Sequence, residues 1–390
     1  MIATLAVAGY RSLRDVCVPL GRLTVIRGGN GVGKSSLYQA FRLLADTAGG
    51  RLIGSLARAG GLESVLWAGP EVVSGAMRRG EVPVQGQAHR HRPVSLMLGF
   101  SGDDVSYLID IGLPLPDTLT KFGKDPQIKR EAVWVGPVLR PAATLVQRAN
   151  GAVQVRVDAG WTRLPPIGHR ESIVADLADP VTRPELALLR GMVASWRFYD
   201  DFRTDVGSPA RAPQVGTWSP VLDHDGANLA PALQTVLESS RADDLAAVVD
   251  LALPGTTVQV RDADGWFGIE LRQPGLLRPL SGAELSDGTL RFLLLAAALL
   301  SPSPPSLLVL NEPETSLHPE VLPAAAELIR RASDRTQVVV VTHSAPLTQA
   351  LQASAGEALV ENELYKELGE ARVRQTDGLL DRPQWAWGSR

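Results

Sequence analysis

An eight-residue run, Gly28-Gly29-Asn30-Gly31-Val32-Gly33-Lys34-Ser35, constrains the fold of this 390-residue chain more than any other stretch. It fits G-x-x-x-x-G-K-[ST]. It lies between an apolar, β-branched segment, Leu23–Arg27, and a helical pattern from about Lys34 to Asp46 with Leu37, Phe41 and Leu44 on one face. Glycines let such a loop turn successive backbone N–H groups inward onto phosphate oxygens, and the helix start adds the positive end of its dipole. In that geometry Gly28, Gly29, Asn30, Gly31, Val32, Gly33 and Ser36 line the phosphates. Lys34 reaches the β- and γ-phosphates, and the Ser35 hydroxyl ligates Mg²⁺. Only five of the 39 basic residues are lysines, so Lys34 stands out as the one whose position this chemistry demands. No N-K-x-D guanine-reading motif is present, which favours ATP over GTP.

The last third supplies the other half of such a site. Helix (Thr289–Leu300), strand (Ser306–Leu310), helix (Pro319–Ala332), strand (Gln337–Val341) and helix (Ala345–Leu351) alternate, which implies a parallel sheet. The first of those strands ends in Asn311-Glu312, the place of a Walker B element, where Glu312 can polarise a water for in-line attack on the γ-phosphate. The second ends in Thr342-His343-Ser344; a polar triplet at the carboxyl end of a parallel strand points into the ligand crevice, giving His343 a γ-phosphate-sensing role. Upstream, Leu285-Ser286-Asp287-Gly288-Thr289 opens an apolar helix, and Ser286 with the Gly288 backbone makes a second anion site. Within one subunit that site is redundant with the phosphate loop. The redundancy implies a dimer, in which this surface covers the nucleotide of the other chain.

Between these ends the sequence is mixed. Hairpins are expected at Val94–Phe100 with Val105–Ile109, around Thr144–Val157, and around Val258–Leu271. Helices are expected at Pro184–Trp196 and Asn228–Ser239, with Asn228 near an N-cap. The fold class is therefore α/β, with a head split between residues 1–45 and 281–390. Residues 46–280 form an inserted section that completes a β-subdomain and supplies a lid or partner-binding arm.

Composition excludes several function classes. A net charge of −3, from 39 Lys+Arg against 42 Asp+Glu, with 45% hydrophobic residues, is incompatible with an intrinsically disordered chain or a whole-molecule polycation. The single cysteine, Cys17, excludes internal disulfides and multi-cysteine metal sites, and its apolar neighbours predict a small buried hydrophobe. The longest apolar run, Phe292–Leu300, has nine residues, against about twenty needed to span a bilayer. Met1–Gly9 has no basic region before it, so no signal peptide is expected and the location is read as cytoplasmic.

The order of phosphate loop, Leu285–Thr289 (LSDGT), Leu307–Pro319 (LLVLNEPETSLHP) and Val338–Ser344 (VVVVTHS) resembles the ABC-type ATPase heads of the SMC/RecF-like group, in particular compact bacterial AAA-type ATPases without a coiled coil. The opening Leu5–Asp15 matches the habit of that group, as, less specifically, do Gly60–Trp67 and Trp196–Tyr199. The resemblance implies ATP and Mg²⁺ as ligands, Glu312 as the catalytic carboxylate, His343 as the switch histidine, and Ser286 and Gly288 as signature contacts in trans. It further implies a D-loop at Ser316–His318, a homodimer closed head to tail on two nucleotides, and work in DNA maintenance or defence against foreign DNA. Any DNA contact, nuclease or effector is expected from a local surface or a separate chain, and no membrane partner is implied.

Three departures qualify the match. The Walker B acid that helps hold Mg²⁺ is Asn311, which contributes no charge, so turnover is expected to be slow. That favours an alternative reading as a catalytically weak ATP-binding sensor. Asp287 and Thr289 replace the glycine and the Gln or Glu of transporter signatures, which disfavours a transporter subunit. No clear Q-loop glutamine is present; Gln127 is the candidate. His89-Arg90-His91 falls short of a metal ligand set, and Arg78, Arg79, Arg90 and Arg92 read first as a solvated face. His224 reads as structural.

Overall fold

The chain's contacts divide it into two units. One comprises Met1–Leu20, Gly28–Ser195 and Asn362–Arg390, the other Gly21–Arg27 and Trp196–Glu361. The computed structural model describes residues 1–70, 77, 93–115, 120–158, 160–374 and 383–388. Among them no helix is long and apolar enough to cross a membrane.

In the first unit, strands β1 (Ile2–Tyr10) and β2 (Leu13–Pro19) pair antiparallel, while β3 (Leu23–Arg27) belongs to the second unit. Strands β4 (Leu96–Gly102), β5 (Ser106–Gly112), β6 (Gln127–Trp134), β7 (Thr144–Ala149), β8 (Ala152–Val157) and β9 (Gly160–Leu164) extend the sheet in the order β2-β1-β4-β5-β6-β7-β8-β9. All pairings are antiparallel, and those of β1–β2, β4–β5, β7–β8 and β8–β9 close through short hairpin connections. At its centre lies a fully buried polar knot. The Arg148 guanidinium reaches Glu131 Oε2 at 3.2 Å and donates to the Asn150, Gly168 and Glu171 carbonyls. Glu131 also accepts from Tyr107 (2.7 Å), Ser172 (2.6 Å) and the Ile173 amide (3.1 Å). Burial holds the Glu131 carboxyl above its ordinary pKa, against the opposing pull of Ser172, Arg148 and the other donors.

In the second unit, β10 (Arg197–Tyr199), β15 (Leu307–Asn311), β16 (Gln337–Thr342) and β3 run parallel in that order. A small antiparallel sheet has β13 (Trp266–Arg272) between β11 (Gln214–Val215) and β12 (Thr257–Ala263), with β14 (Leu280–Ser281) also on β13. Leu307–Leu310 and Val338–Val341 are all buried, the mark of parallel strands covered on both faces. The helices Asp287–Leu299, Leu322–Ser333 and Ala345–Ala355 contribute to the same core. Strand β17 (Leu359–Glu367) straddles the boundary between the units and turns through Leu368-Gly369 into β18 (Glu370–Val373).

The expected hairpins are present, and the expected helix before Leu300 begins at Asp287, capped by Ser286. Several expectations change. Cys17 is half-buried, not a core residue, because Val16 and Val18 take the inward positions of β2 and alternation turns Cys17 the other way. Asn228 occupies the N-cap but makes no cap bond; its amide instead ties the loop through the Asp223 amide and Val221 carbonyl. The helix Ala242–Ala252, which buries Leu245, Val248 and Val249, and the hairpin β17–β18 were not expected. Arg78, Arg79, His89, Arg90, His91 and Arg92 lie outside the described residues.

Candidate functional site

The phosphate loop begins at the residue after β3, so its first glycine leaves a strand whose last residue, Arg27, is in register with Thr342 of β16. The helix Lys34–Ala48 starts at its end, capped by Gly33 at φ 114°, with no acid in its first turn to compete for the free N–H groups. The Lys34 ammonium folds back to donate to the carbonyls of Gly28 (2.8 Å) and Gly29 (3.0 Å), which draws it over the loop. Ser35 is exposed and Ser36 buried. The first unit packs tightly here: a Cβ on Gly33 would sit 2.9 Å from both Ser12 Oγ and Ala371 Cβ. Since φ 114° also disfavours any side chain, Gly33→Ala strains the loop by about 1–3 kcal/mol. We expect it to weaken ATP binding by about tenfold or more, read by titration with a fluorescent ATP analogue. Unchanged affinity in a folded variant would show that the loop tolerates the methyl.

The second unit places the carboxyl ends of β15 and β16 side by side. Asn311 pairs with Val341 in register, and the Glu312 amide donates to the Val341 carbonyl at 2.8 Å. Glu312 has φ 48°, a left-handed conformation uncommon for a non-glycine residue. It carries the carboxylate back to His343, whose Nδ1 lies 2.5 Å and whose amide 3.2 Å from Glu312 Oε2. Glu314 adjoins this pair. Its Oε1 accepts from the Thr342 hydroxyl and lies 3.9 Å from His343 Nδ1, while its Oε2 is buried without a partner. Burial, reinforced by the neighbouring Glu312 carboxylate, pushes the Glu314 carboxyl up to about 7, with Thr342 opposing. From the helix Asp287–Leu299, the buried Arg291 points Nη2 toward the carbonyls of Asp200 (3.4 Å) and Glu312 (3.5 Å).

The signature segment is anchored within the same unit. Ser286 Oγ accepts from the Thr289 amide at 3.2 Å and contacts its hydroxyl at 2.9 Å. Gly288 passes so close to the D-loop that a Cβ there would lie 2.8 Å from the Ser316 carbonyl, and Ser316 itself has φ 64°. Arg211 gathers the approach: it donates to the carbonyls of Thr204, Gly282, Ala283 and Leu285 and pairs with Asp287 at 2.7 Å. The departure at Asp287 thus has a local partner, although that exposed pair is worth only about 0–1 kcal/mol.

Of the residues singled out from sequence, Glu312 and His343 meet directly, and Gly288 meets Ser316. Gln127 begins β6, and its side-chain oxygen accepts from Lys129. His224 Nδ1 contacts the Phe198 carbonyl at 2.9 Å, a structural placement. Sequence reasoning missed Glu314 and Arg211. The first was visible as the second acid of Asn-Glu-Pro-Glu; nothing around Arg211 signalled its partners 70 and more residues away.

Comparison with solved structures gives the fold. The chain superposes on the crystal structure of the SmcHead bound to the C-winged helix domain of ScpA with TM-score 0.50 at 14% identity, covering 95% of this chain and 97% of that one. It is also similar to the Smc head domain with an extended coiled coil bound to the C-terminal domain of ScpA, derived from Pyrococcus furiosus. There the TM-score is 0.47 at 13% identity, with 95% of each chain covered. For the SMC head domain from Thermotoga maritima it is 0.42 at 15% identity, covering 95% and 97%. No curated protein matches the chain. The profile of one family, described as "AAA domain, putative AbiEii toxin, Type IV TA system", matches residues 23–348. That span runs from the first residue of β3 through the phosphate loop to the helix after His343, and the chain is accordingly a member of this AAA-domain family, with the α/β, ABC-type P-loop fold of an SMC-like ATPase head.

Proposed function

We propose that the protein is a cytoplasmic molecular switch that binds ATP·Mg²⁺, hydrolyses ATP to ADP and phosphate, and couples this cycle to head-to-tail dimerisation. The observation that carries the reading is the phosphate loop: a strand end, left-handed glycines, an acid-free helix start, and Lys34 drawn over the loop. These groups suit a triphosphate, since backbone N–H donors and one ammonium are what its oxygens require. Lys34 takes the β- and γ-phosphates, Gly28–Gly33 and Ser36 the backbone contacts, and Ser35 and Asn311 hold the Mg²⁺ shell. The metal neutralises charge developing on the phosphate oxygens. Glu312, oriented by His343, accepts the proton of the attacking water, and His343 turns its free edge to the γ-phosphate. Ser286 and Gly288 cover the nucleotide of a second copy. The output passes to DNA or to a separate effector chain in genome maintenance or defence.

The test is phosphate release from ATP by the purified protein beside Lys34→Ala. Losing the charge-assisted contacts of Lys34 is expected to weaken ATP binding by roughly 10–100-fold. Equal rates from the two proteins would sink the hydrolytic reading. A dimer appearing in light scattering only with ATP and Mg²⁺ supports the trans role of Ser286; a monomer throughout removes it.

Asn311 favours a second reading, an ATP-held sensor with little turnover, because an amide brings no charge to the metal shell. Its signature is ATP-dependent dimerisation at a rate of phosphate release that Asn311→Asp raises.

A further inference from the structure

We propose that Glu314 is a positioning residue that keeps its proton and donates it as a hydrogen bond to the Glu312 carboxylate, a second hold on the general base beside that of His343. This rests on the reading of Glu312 given above and adds a residue to it.

The argument begins with an unsatisfied oxygen. The Glu314 side chain is only 10% exposed, and the Thr342 hydroxyl serves one of its oxygens. The other, Oε2, is buried with no partner. A buried carboxylate oxygen without a donor is costly, and charged groups more so. None of the groups facing it donates to it: Arg291 Nε is itself buried without a partner, so this spare donor nearby does not reach Oε2. Thr342 is engaged with Oε1, His343 Nδ1 is taken by Glu312, and Arg291 Nη2 is directed at two carbonyls. What remains beside it is another acid, Glu312, whose ligand atoms lie with those of Glu314 and His343 inside 4.8 Å. Two carboxylates so placed cannot both ionise at low cost, and the more buried one keeps the proton. A proton on Glu314 removes its charge from the interior, and the acid then has an acceptor waiting in Glu312. The pKa of about 7, caused by burial first and Glu312 second, agrees with that arrangement.

The consequence for the base is geometric. Glu312 sits on a left-handed backbone, and its carboxylate is gripped by the His343 ring and amide. A second grip from Glu314 leaves the carboxylate one orientation in which to meet a water. Ionisation of Glu314 removes that donor and sets a like charge against the base.

The experiment compares wild type, Glu314→Gln and Glu314→Ala from pH 6 to 8.5. The Gln amide donates at every pH; alanine never does. Wild-type phosphate release should fall roughly tenfold per pH unit above about 7, as the donor is lost. The rate ratio of Glu314→Gln to wild type should therefore climb with pH, while Glu314→Ala stays slow throughout. A flat ratio, or a Glu314→Gln profile that coincides with Glu314→Ala, overturns the proposal. A second arm needs no turnover. An acid whose folded pKa is raised contributes stability that is full below its unfolded value of 4.5 and lost as pH rises toward the folded value. The urea midpoint of wild type should thus fall relative to Glu314→Gln between about pH 4.5 and 7 and run level above; a constant difference overturns the hydrogen bond. Wild-type turnover no faster than Glu312→Gln at any pH would sink the proposed function instead, and the second arm then decides the fate of Glu314.

Discussion

Replacing Glu312 with Gln should lower ATP-dependent phosphate release by about 10²–10⁴ while leaving ATP bound, if Glu312 is the general base proposed above. The amide keeps the size of the carboxylate, and its oxygen can still accept from the His343 amide, which lies 3.2 Å from the Glu312 carboxylate. The amide that fixes the turn, Glu312 N to Val341 O, is main chain and survives the substitution. On the proposed reading binding resides elsewhere in the sequence, in Gly28–Ser35, so affinity and turnover should separate cleanly. Phosphate release and an ATP titration on the same preparation measure the two. A loss of less than about tenfold would mean that the water is activated by another group.

Breaking the buried knot of the eight-stranded sheet should have the largest effect on stability. Arg148 and Glu131 are both fully buried, so no solvent screens their interaction and none replaces a missing partner. Arg148→Ala removes the guanidinium donors to the Asn150, Gly168 and Glu171 carbonyls and leaves Glu131 without its cation, at a cost of about 3–5 kcal/mol. Glu131→Gln is the milder control, because an amide oxygen still accepts from Tyr107 and Ser172. Urea unfolding of the three proteins measures the difference. A deficit under about 1 kcal/mol for Arg148→Ala would show that water enters the knot or that the loops rearrange around it.

Much of the parallel sheet was legible because its strands are unbroken apolar runs ending in polar residues, a pattern that follows from burial on both faces. The same rule made Glu312 and His343 readable: strand ends are where side chains emerge, and the two ends lie in register. Strand β6 was harder to read. Its Gln-Ile-Lys-Arg-Glu start looks like a solvated charge run, and the partners that hold Glu131 inside, Arg148, Tyr107, Ser172 and the Ile173 amide, all come from other segments. Glu314 was hidden for a related reason. A second acid two residues from Glu312 is ordinary in sequence, and its surroundings include Thr342 and Arg291, which come from other elements. The β17–β18 hairpin escaped because its charged residues mask the alternation of Asn362, Leu364, Ala371 and Val373, all buried.

The pairing of β3 with β16 sets a timetable for the ribosome. Leu23 meets Val338, and Arg27 meets Thr342, across more than 300 residues of chain. At roughly 5–20 residues per second, the strand that carries the phosphate loop waits tens of seconds after its own synthesis before its partner exists. Loop closure over such a separation must precede any reward from the contacts it makes, which slows the step further. A nascent chain that has displayed Gly28–Ser35 but not yet made β16 therefore holds a nucleotide motif without the strand that anchors it. On the reading proposed above, ATP binding has to wait until Gln337–Thr342 has been made.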